Sequence, residues 1–100
     1  MAVRLVFSPE VKDDLDNAYG WYEDRRPGLG EEFLSCIEAA ISRISRTPEL
    51  YPRVYKQYRR CLIRRFPYAI FFEYESEIIF VYSIFHTSQN PDKWKRRKKP

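Results

Sequence analysis

The stretch RRCLIRRFPYAIFFEYESEIIFVYSIFHTSQNPDKW, residues 59–94, decides how this chain folds. It predicts three consecutive strands. Residues 59–66 are β-prone and heavily basic. Residues 69–74 alternate, with Ile70, Phe72 and Tyr74 on one face and Ala69, Phe71 and Glu73 on the other. Residues 78–85 are almost unbroken apolar and end at the only histidine, His86. A strand that is apolar on both faces must be covered on both, which places it inside the sheet. Glu75-Ser76-Glu77 suits a hairpin turn, and Phe66-Pro67-Tyr68 separates the first two strands. Pro67 has no N–H to give to a ladder, as befits a strand end.

Upstream, residues 3–7 read as a short apolar first strand. Ser8-Pro9-Glu10 then has the form of a helix start: a serine N-cap, proline at the first helical position and an acid in the first turn. Val11, Leu15, Ala18, Tyr19 and Tyr22 follow at helical spacing and define a buried stripe. Asp13, Asp14 and Asp16 sit near the positive end of the helix dipole, which stabilises them. The breaker Arg25-Arg26-Pro27-Gly28-Leu29-Gly30 joins this helix to a second one in an antiparallel hairpin. The second helix starts within residues 29–32 and runs to about Arg46, burying Phe33, Ile37, Ala40, Ile41 and Ile44. Thr47-Pro48 stops it. Residues 49–58 form a polar, aromatic connection with room for a short strand at 54–57. Asn90-Pro91-Asp92 resembles a cap before one last helical turn, anchored by Trp94.

The order β-α-α-β-β-β implies an α+β fold, with the helix hairpin packed on one face of an antiparallel sheet. Ile41, Phe72 and Val81 are expected beneath that hairpin. The opposite sheet face has no cover of its own in so short a chain. An uncovered face that is apolar, aromatic and basic marks a binding surface, so the sequence asks for a partner.

At 100 residues the chain is expected to be one domain, residues 1–100, with a basic tail over about 93–100. No apolar run reaches the ~20 residues of a membrane span. The first residues lack the basic, apolar and small-residue blocks of a secretion signal, so the expected location is the cytoplasm. Cys36 and Cys61 then read as reduced apolar side chains. One histidine and two separated cysteines make no zinc site, and no cofactor is expected. The net charge of +4 hides an asymmetry: residues 1–50 carry −4 and residues 51–100 carry +8. The positive field belongs to the sheet and tail, favouring an acidic or polyanionic partner there. The plain alternative for the tail is a solvated, solubilising segment.

The ordered set of features resembles one family. A basic strand at Arg59–Arg65, Phe66-Pro67-Tyr68 with Ile70 and Phe72, and an apolar strand ending in His86 with Pro91 and Trp94 beyond are similar to the RelE/ParE toxins of bacterial type II toxin–antitoxin (plasmid stabilisation) modules. The likeness spans essentially the whole chain. It implies a small basic toxin that inhibits growth and is held as a hetero-oligomer by a cognate antitoxin. It also implies one of two targets. RelE-like members cut messenger RNA in the ribosome, whereas ParE-like members poison DNA gyrase without nuclease activity.

Cutting RNA through its own 2′-hydroxyl needs a base, an acid and cations for the developing charge. Arg64, Tyr82 and His86 are the candidates for that chemistry. Strand alternation would set Arg64 and Arg65 on opposite faces. Four arginines on one exterior strand are most often a solvated or partner-binding edge, and a histidine at a strand end is as often a structural hydrogen-bonder. Where the nuclease branch has an arginine before its second meander strand, this chain has Tyr68. Where that branch has an arginine after its last strand, this chain has Thr87. The segment around Lys93 and Trp94 also lacks that branch's tyrosine. The resemblance therefore points to the ParE branch, although Gln89 stands where an arginine is common. Target or antitoxin contacts are expected at Arg59, Arg60, Arg64, Arg65, Tyr68, His86, Trp94, Lys95, Arg96 and Arg97, with no enzymatic role favoured and no membrane partner. A ribosome-dependent endoribonuclease and a non-toxic basic binding domain are the alternatives.

Overall fold

The computed structural model describes residues 3–90, 92–95 and 97, and all of these but Trp94 with their side chains. Strand β1 (Arg4–Phe7) leads into helices α1 (Glu10–Arg25) and α2 (Leu29–Arg46), then a 3-10 turn at Pro48–Leu50. Strands β2 (Arg53–Tyr55), β3 (Tyr58–Leu62), β4 (Tyr68–Glu75) and β5 (Ile78–His86) follow, and one helical turn, α3 (Asp92–Lys95), comes last.

The five strands form one sheet in the order β1-β5-β4-β3-β2. The strand that is apolar on both faces, β5, lies inside the sheet, as its composition requires. β4 pairs with β5 and β3 antiparallel, while β1 pairs with β5 in parallel, Val6 opposite Phe80. The sheet is thus mixed rather than purely antiparallel. The two helices between β1 and the meander are the crossover that a parallel pairing needs.

Both helices cover one face. Val11, Ala18 and Tyr22 of α1 and Phe33, Ile37, Ala40 and Ile44 of α2 meet Cys61, Ile70, Phe72, Ile79, Val81 and Ile84 of the sheet in one core. Phe72 and Val81 are fully buried there, whereas Ile41 is only partly buried at its margin, off the stripe that faces the sheet. Tyr22, Phe33, Phe66 and Tyr68 cluster at one end with ring centroids 4.8–6.0 Å apart, edge-to-face except for the tilted Tyr22–Phe33 pair.

Several local expectations are corrected. Ser8 does not cap α1: its hydroxyl donates to the Tyr82 carbonyl at 2.9 Å, and the helix begins at Glu10 without a side-chain cap. The short strand in the connection is Arg53–Tyr55, slightly upstream of residues 54–57. β3 ends at Leu62, so Arg64 and Arg65 lie in the following loop and strand alternation does not sort them. Arg65 there takes φ +77°, which is strained for a side-chain-bearing residue. The Glu75–Ile78 hairpin turns on Ser76 and Glu77, both at positive φ, the conformation that matches the twist of paired strands.

A bulge interrupts β5. Phe71 faces Ser83 but Phe72 faces Val81, leaving Tyr82 as the extra residue. Val81 and Ile84 consequently share the helix face at a spacing of three. Simple alternation along β5 misses that shift.

Candidate functional site

Register assigns the face away from the helices. Arg60 opposes Phe71, Leu62 opposes Ala69, and Ala69 opposes Phe85, so these side chains share it. A cleft of about 240 Å3 lies here, lined by Val54, Tyr55, Arg60, Phe71, Phe85 and His86, with Thr87, Gln89 and Lys95 closing it from beyond β5. A second groove, about 650 Å3, runs between α1 and the ends of β4 and β5. Trp21, Tyr22, Pro67, Tyr68, Ile84 and His86 line it, and Asp14 and Arg97 stand at its margin. Trp21 is half exposed on that wall and stacks under the Arg25 guanidinium, 3.9 Å from the ring centroid.

The face opposite the helices is not bare, contrary to the expectation from chain length. Ala69, Tyr82, Ser83 and Phe85 are buried although they take no part in the helix-side core. Tyr58 meets Tyr82 edge-on at 4.8 Å, and the Tyr82 hydroxyl donates to Glu73 Oε1 at 2.8 Å. Burial, followed by that bond to Glu73, pushes the Tyr82 phenol far above its ordinary range. The Tyr82 hydroxyl is thus held as the donor to Glu73.

The other candidates are dispersed. His86 stands at the rim shared by the cleft and the groove, its ring against Tyr68 at 5.3 Å. Its Nδ1 accepts from the Ser88 backbone N–H at 3.1 Å, which ties the imidazole into the turn after β5. Arg64 is exposed in the loop after β3 and has no ion-pair partner among the described residues. Neither cavity contains both Arg64 and Tyr82 with His86. The three residues do not converge.

The remaining arginines divide between structural and free roles. Arg59 points to the helix side and donates to the carbonyls of Tyr51 (2.7 Å) and Glu49 (3.2 Å), fastening the connection before β2. Arg65 pairs with Glu32, which also takes Arg26 at 2.8 Å. These two partners, Arg65 first, hold the Glu32 carboxyl below its ordinary range. Arg60 alone among the four stands in the cleft. Tyr68 lies in the groove, where burial raises its phenol. Lys95 sits over the Tyr55 ring at 4.1 Å. Arg96 and the Trp94 side chain lie outside the described residues.

Arg97, expected among the target or antitoxin contacts with a solvated tail as the alternative, is tied down within the fold. Its guanidinium makes two bonds to the Asp14 carboxylate, 2.7 and 3.0 Å, and a third to the Tyr82 carbonyl at 2.9 Å. Both side chains are largely buried. Asp14 also accepts from Ile84 N–H at 3.0 Å. β1 has ended by this point, so Asp14 takes up the Ile84 N–H, and Arg97 shares the Tyr82 carbonyl with the Ser8 hydroxyl. Sequence reasoning placed Asp14 at a helix dipole and missed this pairing, because nothing local links residues 14 and 97.

Comparison with known proteins settles the lineage. Residues 5–91 match the family described as the ParE toxin of the type II toxin-antitoxin system, parDE. The chain belongs to the ParE toxin family. It is 28% identical over 93 residues to Toxin ParE2 of two Mycobacterium tuberculosis strains, CDC 1551 / Oshkosh and H37Rv, covering 92% of this chain and 89% of that protein. A solved structure described as a chromosomal ParDE TA system from P. aeruginosa superposes with a TM-score of 0.75 at 17% identity. It covers 85% of this chain and 96% of the other. The two-helix, mixed-sheet fold is therefore that of a ParE-type toxin. Among the described residues, no helix is long and apolar enough to cross a membrane, and no three His, Cys, Asp or Glu side chains group as metal ligands.

Proposed function

We propose that this ParE-type toxin arrests growth by binding a cellular target, DNA gyrase foremost, and not by cutting RNA, and that a cognate antitoxin neutralises it in a hetero-oligomer. The observation that carries this is the separation of Arg64, Tyr82 and His86. A proton-transfer site needs its acid, base and cations within hydrogen-bond reach of one reacting phosphate. Here the phenol of Tyr82 is committed to Glu73 and His86 Nδ1 to Ser88.

For the antitoxin, the groove beside α1 offers Trp21, Tyr22 and Tyr68 as an apolar wall for a helix or extended segment. Arg64 is the cation for an acidic flank of that partner, since Arg59 and Arg65 are bound within the fold. Arg64→Glu should weaken antitoxin binding several-fold, through a slower and less salt-sensitive association, without altering the fold. Unchanged affinity would move the interface elsewhere. Lys93, Lys95 and Trp94 are the proposed target contacts.

The ribosome-dependent endoribonuclease remains the second reading, because Arg60 and His86 do line one cleft. Growth assays of His86→Gln separate the two. Glutamine keeps a hydrogen-bonding side chain but does not titrate near neutral pH. A gyrase-directed binder should stay toxic and accumulate gyrase cleavage complexes, with messenger RNA intact. An RNA-cutting site should lose about 10²–10⁴ in rate. A non-toxic His86→Gln that still folds and binds antitoxin would therefore overturn the binding-only reading.

A further inference from the structure

The sheet ends in two unlike edges, β1 and β2. Strand β2 is guarded. It is short, follows Pro52, carries Arg53, meets β3 through a register shift and turns at Lys56 with φ +52°. Each of these features discourages a further strand from pairing there. Past Arg4, strand β1 is regular and wholly apolar, Leu5-Val6-Phe7. Its parallel pairing with β5 uses every second residue. The Arg4 N–H donates to the Glu77 carbonyl at 3.0 Å and the Ser8 N–H to the Val81 carbonyl at 2.9 Å. Arg4, Val6 and Ser8 therefore turn their backbone groups inward, and Leu5 and Phe7 turn theirs outward. Among the described residues no neighbouring strand takes those outward groups. The Leu5 and Phe7 side chains stand on the helix side beside Ile79 and Val81, yet they remain 36% and 46% exposed.

We propose that β1 is a self-association edge, on which a second copy of this chain pairs antiparallel about a two-fold axis at Val6. The spacing of the outward residues carries the assignment. An isologous contact must match itself under its two-fold. With the axis at Val6, Leu5 of each copy stands opposite Phe7 of the other. Each such pair exchanges both of its outward N–H···O bonds, as in the hydrogen-bonded pair of an antiparallel ladder. The same register sets each Leu5 side chain against Phe7 of the second copy on the helix side, covering apolar surface now open to water. Any extended segment could take the backbone bonds, but the reciprocal Leu–Phe match is a property of this chain with itself. A strand this short buries less than the roughly 800 Å² per partner of a standard interface, so the dimer is micromolar or weaker and forms as concentration rises. The inference does not depend on the toxin's cellular target, and the groove beside α1 shares no residue with β1.

Sedimentation velocity of the full chain over a range of concentrations measures the association. Leu5→Lys with Phe7→Lys replaces both apolar pairs by like charges face to face, and should raise the dissociation constant by about tenfold or more. Leu5→Glu with Phe7→Lys sets opposite charges across the same axis. It should associate more tightly than the double-lysine chain, the more so at low salt. Hydrogen exchange of the parent needs no variant and decides the matter if the double-lysine chain does not fold. The Leu5 and Phe7 amides should gain protection as concentration rises, while the Val6 amide, already paired to β5, should not change. A parent that stays monomeric into the millimolar range overturns the proposal, as does a dimer that leaves those two amides unprotected. Equal association of the two charged variants overturns the register. A double-lysine chain that loses antitoxin binding but keeps its self-association would give the edge to an antitoxin strand and overturn the proposal as well.

Discussion

The two faces of the sheet use the same strands to opposite ends. On the helix side, residues such as Phe72, Val81, Ile44 and Phe33 are fully buried by apolar neighbours alone. On the other side, burial is built from polar links, Tyr82 to Glu73 and Lys95 over Tyr55, with Arg97 joined to Asp14 of α1 beside β5. Apolar burial is non-directional and tolerates any neighbour of suitable volume. Polar burial requires each donor to find its acceptor, and the loss of one partner strands the other. The first face makes the fold, and the second depends on each polar link finding its partner.

The largest effect that would break this contrast belongs to the helix side. Phe72→Ala removes a fully buried ring at the centre of the core and should cost about 3–5 kcal/mol, a large part of a small domain's stability. Chemical denaturation measures it directly. A loss below about 1 kcal/mol would mean that the helix-facing layer is not the load of the fold. Ile41→Ala, at the partly buried margin, should cost clearly less than Ile44→Ala.

A change of opposite sign sharpens the contrast on the other face. Ser83 shares a face with Phe71 and is fully buried, but its hydroxyl finds no hydrogen-bond partner among the described residues. Ser83→Ala removes that unsatisfied oxygen and should stabilise the protein by about 1 kcal/mol. A loss of stability would show that the hydroxyl is satisfied. The same truncation chemistry thus separates the faces by the direction of the melting shift.

The two faces were also unequally legible. Composition and alternation were enough for the helix hairpin, the interior position of β5 and the inward set Ile70, Phe72 and Tyr74, because apolar periodicity survives any partner. Parallel pairing of β1 left no local signal, since residues 4–7 and 78–81 are far apart in sequence. The bulge at Tyr82 broke the period of two. For the candidate site, the sequence named Arg60 and His86 separately and the structure sets both on one cleft, while Arg59 and Arg65 bond to partners that only tertiary structure supplies. The Asp14–Arg97 pair spans nearly the whole chain and was invisible for the same reason.

The smallest expected effect lies in the loop cations, where the ParE likeness and the packing give different roles to adjacent arginines. Glu32 binds Arg65 and Arg26, and both hold its carboxyl below the usual value. A depressed folded-state pKa means the unfolded chain takes up the proton first as pH falls. The contribution is therefore present above the ordinary glutamate pKa of about 4.3, and is lost as pH drops through the lower folded value. Glu32→Gln should melt slightly below the parent at neutral pH, by no more than a degree or two for an exposed cluster of this kind. The two melting curves should converge below about pH 4. Arg65→Gln should reproduce that convergence and Arg64→Gln should not, because Arg64 has no acidic partner among the described residues. Equal acid profiles for the two arginine variants would return both residues to a single solvated edge and remove the reason for assigning partner contact to Arg64 alone.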